Sequence, residues 1–150
     1  MNISWNWLLQ YVRYRGDRDQ AIHRMTMSGL NVDGVEDLPG GDVCLDVEVT
    51  SNRPDCISHL CVARELAALT DSEFVVPPVD HPEDARPAGD LTSVQVADQK
   101  GCPRYTARVI RGVKVGPSPA WLVERLQAVG LRSINNVVDI TNFVCYEHGQ

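Results

Sequence analysis

No stretch of the sequence approaches the roughly 18 uninterrupted apolar residues that a membrane-spanning helix needs, so the transmembrane class is not expected. The opening MNISWNWLLQYVRYRGDRD has neither a basic n-region nor a small-residue cleavage site, so no secretion signal is expected either. The five cysteines, Cys44, Cys56, Cys61, Cys102 and Cys145, are odd in number and irregularly spaced, which speaks against a secreted disulfide scaffold and for a reducing cytoplasm. There is no phosphate-cradling GxxxxGK[ST] loop, no GxGxxG, no GxSxG and no HExxH. What remains is an ordinary soluble mixture, 43% hydrophobic and 23% charged over 150 residues, enough for one domain or two small ones.

The net charge of −6 is unevenly spread. Residues 1–40 hold four Arg against five acids, residues 41–100 twelve acids against four bases, and residues 101–150 six bases against three acids. An acidic middle repels phosphate, so only the last third could face nucleic acid.

Ser4 is placed to cap a short helix in which Trp5, Leu8, Leu9 and Val12 share a face. A second helix is predicted over 19–28, ended by Gly29. DGVEDLPGGD reads as a loop. Val43, Leu45, Val47 and Val49 then alternate with Cys44, Asp46, Glu48 and Thr50, which predicts a half-buried strand. SNRPDC turns the chain, with Asp55 as N-cap of a largely buried helix, CISHLCVARELAALT, whose narrow polar stripe is Ser58, His59, Arg64 and Glu65. Together these make a small α+β unit over 1–73. Residues 74–92 carry four of the nine prolines and read as a linker. From 93 to 150 a second unit is expected. It has a short strand at Val94 and Val96, a longer one over 105–115, and a helix with Ser118 as cap, Pro119 at N1 and Gly130 as stop. Leu122, Leu126 and Val129 should face inward. The closing SINNVVDITNFVCYEHG has strand-like composition but helical periodicity, with Ile134, Val137, Val138, Thr141 and Cys145 as the inner stripe, Ser133 as cap and Gly149 as stop.

Cys56, His59 and Cys61 invite a zinc reading. On a helix 56 and 59 share a face while 61 points elsewhere, so buried free cysteines are the simpler account. Asp46 and Glu48 share a strand face, as a carboxylate pair for acid–base work or as a solvated surface. Thr141 and Asn142 place a hydroxyl beside an amide, which could hold a polar ligand and an attacking water. Equally, Thr141 could bond back to the carbonyl a turn earlier and Asn142 face solvent.

NISWNWLLQYV, MTMSGLNVDGVE, DVEVTSNRPDCISHLCVARELAAL, CPRYTARVIRGVKVGPSPAWLVERL and GLRSINNVVDITNFV, in that order, resemble the bacterial phenylalanine–tRNA ligase β subunit over nearly the whole chain outside 74–92. The resemblance implies that 1–73 is that subunit's N-terminal α+β domain and that 93–150 begins a larger α+β domain. That domain edits tyrosine wrongly attached to the phenylalanine tRNA. The adjacent Thr and Asn of the family's editing pocket match Thr141 and Asn142. By the same resemblance the aminoacylation site belongs to the α subunit of an α2β2 enzyme, and ATP and magnesium are bound outside this segment. No catalytic residue for aminoacylation, no cofactor and no metal ligand is therefore expected here. The segment's expected work is assembly with the α subunit and a contribution to the editing pocket.

Two departures stand out. Most bacterial members insert an oligonucleotide-binding barrel where this chain has only DLPGGD, so that tRNA-binding platform is not expected. The family also continues past Glu147-His148-Gly149-Gln150 to a pocket histidine, which His148 is not; a fragment or a shortened paralogue is expected, inactive by itself and exposing apolar surface from its last helix. The rival reading is a stand-alone, non-catalytic interaction or nucleic-acid-binding module.

Overall fold

The computed structural model describes Met1 to Gln150 in two units, Met1–Pro77 with Val115–Gln150, and Pro78–Lys114. The first unit carries an antiparallel sheet of three strands, β1 (Asn2–Ser4), β2 (Val32–Asp37) and β3 (Val43–Val47), in the order β1-β3-β2. The alternation that predicts β3 buries Val43, Leu45 and Val47 and leaves Asp46 outside, but Cys44, expected on the wet face, is buried as well. Ile3 and Val35 face Leu45 from the two sides. β2 is a correction, because its acidic, glycine-bearing sequence reads as loop. The free edge of β3 satisfies its backbone groups, and the register slips between Val32 and Gly34. The turn signals are right a few residues later, where Leu38 N donates to Asp42 O at 2.9 Å and closes the hairpin.

Five helices form where the pattern predicts them, α1 (Trp5–Leu8), α2 (Arg18–Met27), α3 (His59–Thr70), α4 (Ala120–Ala128) and α5 (Asn136–His148), but α1 stops short of its expected stripe, and Val12 pairs with Phe74 in an isolated bridge instead. With the sheet they make the expected small α+β arrangement. Ser4 caps α1, its Oγ accepting from Trp7 N at 3.1 Å. Three other caps shift. Ser58, not Asp55, caps α3, because Pro54–Cys56 forms a separate 3-10 turn first. Pro119 takes the cap position of α4, and Asn135, not Ser133, caps α5 by accepting from Val137 N and Val138 N. Ser118 and Ser133 are diverted to another partner, described below. Gly149 ends α5 with φ of 81°, a left-handed conformation that a Cβ disfavours.

Ile3, Trp7, Leu8, Met25, Leu30, Leu45 and Leu66 form the buried centre, and Leu122 and Leu126 of α4, with Val129 at its C-terminal end, are buried as expected. The sequence division groups α4 and α5 with residues 93–114. In the structure both helices lie in the same compact unit as the sheet, with Asn2 Nδ2 donating to Val129 O at 3.3 Å.

The unit Pro78–Lys114 holds one 3-10 turn, Ala88–Asp90, and is otherwise irregular. The strands expected at 94–96 and 105–115 do not form. An alternating segment becomes a strand only where a neighbour completes its backbone hydrogen bonds. None lies alongside here, so Tyr105, Ile110 and Val113 stand 62%, 78% and 55% exposed. No helix is long and apolar enough to cross a membrane.

Candidate functional site

The roll of α5 decides which side chains it offers. Its first turn is held by Asp139, which is fully buried. One carboxylate oxygen accepts from Ser118 Oγ at 2.5 Å and Ser133 Oγ at 2.6 Å, and the other from Ile134 N at 2.9 Å. Burial opposes ionisation of this carboxyl, but these bonds and one from the Asn135 backbone outweigh it and hold it below the usual carboxylate range. Gly116 and Asn136 add a reciprocal pair, Gly116 N to Asn136 Oδ1 at 3.1 Å and Asn136 N to Gly116 O at 2.9 Å.

Further along, Phe143 stacks on Trp7 with centroids 5.0 Å apart and planes at 8°, and meets Trp121 edge-on at 5.5 Å. Arg125 of α4 lies 5.3 to 5.5 Å from the centres of Trp7, Trp121 and Phe143, and donates to Gln10 Oε1 at 2.5 Å. His59, fully buried, also stacks on Trp7. Its Nε2 accepts from Ser4 N at 3.0 Å and its Nδ1–H donates to Tyr146 O at 2.9 Å, a pairing that requires the neutral ring. Burial pushes the imidazole down to about 4. The last turn is tied by Tyr11, whose hydroxyl accepts from Trp7 Nε1 at 2.8 Å and donates to Glu147. Burial and the Glu147 carboxylate both raise the Tyr11 phenol.

These anchors overturn the predicted inner stripe. Ile134, Val137, Thr141 and Cys145 face outward, while Asp139, Phe143 and Tyr146 face in. The outer surface of α5 is consequently apolar, with Val137 44%, Ile140 53% and Val144 37% exposed. Thr141 lies on that surface, and its Oγ donates to Val138 O at 2.7 Å, the backbone bond weighed for it from sequence. Asn142 is half-buried beside it.

The other candidates are spent internally. Both ring nitrogens of His59 are hydrogen-bonded, leaving no lone pair to join Cys56 and Cys61 in a zinc site. Asp46 pairs with the Met1 amino group at 3.2 Å. Asp55, Cys56 and Glu65 converge closely enough to suggest a cation site. Arg53 fills it: it bonds both Asp55 oxygens at 3.1 Å, Glu65 at 3.0 Å and Cys56 Sγ at 2.9 Å. A bidentate guanidinium already neutralises that cluster.

Sequence reasoning missed the anchors Asp139 and Arg125. The one signal for Asp139 was an acid standing among β-branched residues of a helix's first turns, which need not be solvated.

A chain with this small sheet and these helices carries, over residues 101–150, a match to the B3/4 domain family. That span contains α4, α5 and the Thr141–Asn142 pair. The chain is 51% identical over 150 residues to the phenylalanine–tRNA ligase beta subunit of Rhodopirellula baltica, covering 100% of this chain and 22% of that protein. The like-named subunit of Salinibacter ruber is 51% identical over 75% of this chain and 14% of its own length. That of Moorella thermoacetica is 45% identical over 89% and 17%. The chain is thus similar to phenylalanine–tRNA ligase β subunits, over its whole length for one and over three quarters or more for the others, and it spans 14 to 22% of the length of these relatives.

Proposed function

We propose that the chain is the part of a phenylalanine–tRNA ligase β subunit that assists assembly with the α subunit and contributes Thr141 and Asn142 to a hydrolytic editing pocket. On this reading 1–73 is the N-terminal domain, 74–92 a linker and 93–150 the start of the editing domain, within a cytoplasmic α2β2 enzyme that binds tRNA. The observation that carries it is the 51% identity sustained over all 150 residues. ATP-dependent attachment of phenylalanine, with its magnesium, belongs to other parts of that enzyme. The cluster of Asp55, Cys56 and Glu65 is closed around Arg53 and does not fit a magnesium–nucleotide site.

The chemistry of editing suits the pair. A pocket shaped for phenylalanine rejects an added hydroxyl poorly, so a second site must hydrolyse the tyrosyl ester. Thr141 gives its proton to Val138 O and so turns oxygen lone pairs outward, able to accept from a substrate hydroxyl, an ammonium or a water. Asn142 adds an amide with both donor and acceptor. Neither need be a nucleophile. They hold the ester and its water in line, and positioning of this kind is worth orders of magnitude in rate.

The test is hydrolysis of tyrosyl-tRNA by the protein isolated with its α subunit. Thr141→Ala and Asn142→Ala should each slow hydrolysis by about tenfold or more while phenylalanine attachment is unchanged. Hydrolysis at the unsubstituted rate in both variants overturns the reading.

A further inference from the structure

We propose that Asp139 is a positioning residue for the editing site: its buried carboxylate sets the roll of α5 and so the direction in which Thr141 and Asn142 face. The proposal rests on the editing role of those two residues. A carboxylate with no exposed surface is an expensive thing to keep in a protein. An apolar side chain of similar size commonly serves stability as well or better. What an apolar side chain lacks is direction. Asp139 accepts from Ser118, just before α4, and from Ser133 and Ile134, just before α5. One side chain thus fastens two separate approaches to a single helical turn.

The geometry carries this to the site. Successive residues turn about 100° round a helix, so Thr141 lies about 200° on from Asp139 and Asn142 about 60° short of a full turn. With Asp139 drawn inward, Thr141 must face out and Asn142 must sit at the boundary, which is where they are found. Phe143, Tyr146 and Glu147 hold the later turns of α5 against Trp7, His59 and Tyr11. Asp139 is the corresponding anchor of the first turns, the ones nearest Thr141. Replacing it with alanine frees those turns to roll.

The experiment compares Asp139→Ala, Asp139→Asn, Thr141→Ala and the double Asp139→Ala/Thr141→Ala, each isolated with the α subunit. Tyrosyl-tRNA hydrolysis and phenylalanine attachment are both measured. Asp139→Ala should lower kcat for hydrolysis by about tenfold to a hundredfold, with KM and phenylalanine attachment little changed. Asp139→Asn should restore most of the rate, because its amide oxygen still accepts from Ile134 N and its NH2 can donate to the rotated serine hydroxyls. The double variant should be no slower than the slower single, since both act through one group. Wild-type hydrolysis in Asp139→Ala, or additive losses in the double, overturns the positioning role. If Thr141→Ala and Asn142→Ala themselves hydrolyse normally, it is the editing reading that falls. Should Asp139→Ala fail to fold, Ser118→Ala and Ser133→Ala each remove one donor. A partial loss of kcat is expected from both, and no loss in either overturns the proposal.

Discussion

Trp7 stacks against His59, with ring centroids 3.8 Å apart and planes at 22°, and also against Phe143, at 5.0 Å and 8°. Three distant stretches of sequence thus meet in one stack, and the hydrogen bonds from Ser4 N to His59 and from His59 to Tyr146 O bind the same three. These contacts fasten α5 to the sheet and to α3, so the surface that α5 offers depends on them.

The His59 ring has a pH consequence. Its two bonds need the neutral form, and burial depresses its pKa from the ordinary 6.5 to about 4. The unfolded chain therefore takes up the proton first as pH falls. The contribution is complete above about pH 6.5 and is lost progressively down to about pH 4. Urea unfolding at pH 7 and pH 4.5 should differ by roughly 2 kcal/mol from this group. His59→Gln should be less stable at pH 7 and show a flatter pH dependence; an equal slope in both proteins would remove His59 as the cause.

Trp7 is only 1% exposed, whereas Trp121, which also touches Phe143, is 51% exposed. Trp7→Ala should cost about 3 to 5 kcal/mol in urea unfolding, through lost burial and the cavity left behind. Trp121→Ala should cost a small fraction of that, about 1 kcal/mol. Similar losses would contradict the placement of Trp7 at the centre of the stack.

Cysteine reactivity should separate by environment. Burial, then the Asp55 carboxylate, raises the Cys56 thiol to about 11, and burial raises Cys44 too. Cys145 is exposed. Iodoacetamide at pH 8 should label Cys145 in the folded protein while Cys44 and Cys56 remain protected until denaturant is added. Peptide mass mapping against time reads this directly, and early labelling of Cys56 would refute its burial beside Arg53.

The α5 cap is testable by itself. Asn135→Ala removes the acceptor of Val137 N and Val138 N, at 3.0 and 3.1 Å, and should cost about 1 kcal/mol. Asn135→Ser should recover much of it, as thermal unfolding will show.

The apolar outer face of α5 predicts a solubility effect. Ile140 is 53% and Val144 37% exposed, so Ile140→Lys should leave the unfolding midpoint nearly unchanged and reduce light scattering in concentrated solution. A large loss of stability would mean that Ile140 is covered.

Much of the fold was legible locally. Helix periodicity, the Gly29, Gly130 and Gly149 stops and the alternation at 43–47 are encoded within a few residues, where propensity, capping and side-chain spacing act. The roll of α5 was not legible. Ile134, Val137, Thr141 and Cys145 make as good an apolar stripe as any, yet the helix turns Asp139, Phe143 and Tyr146 inward. Its burial is decided by partners more than a hundred residues earlier, Trp7 and Tyr11, and by His59. The same holds for strands. β2 forms from turn-like residues because β3 offers it an edge, and 105–115 stays irregular because nothing offers it one. For the candidate site, sequence and resemblance pick out Thr141 and Asn142 by chemical type, but which way they face, and the burial of the Asp139 carboxylate just before them, arise only from packing. Local sequence determines which elements can form, because propensity and capping are short-range. Tertiary structure alone decides which face is buried and which strands pair, because hydrogen-bond partners and burial come from residues distant in the chain.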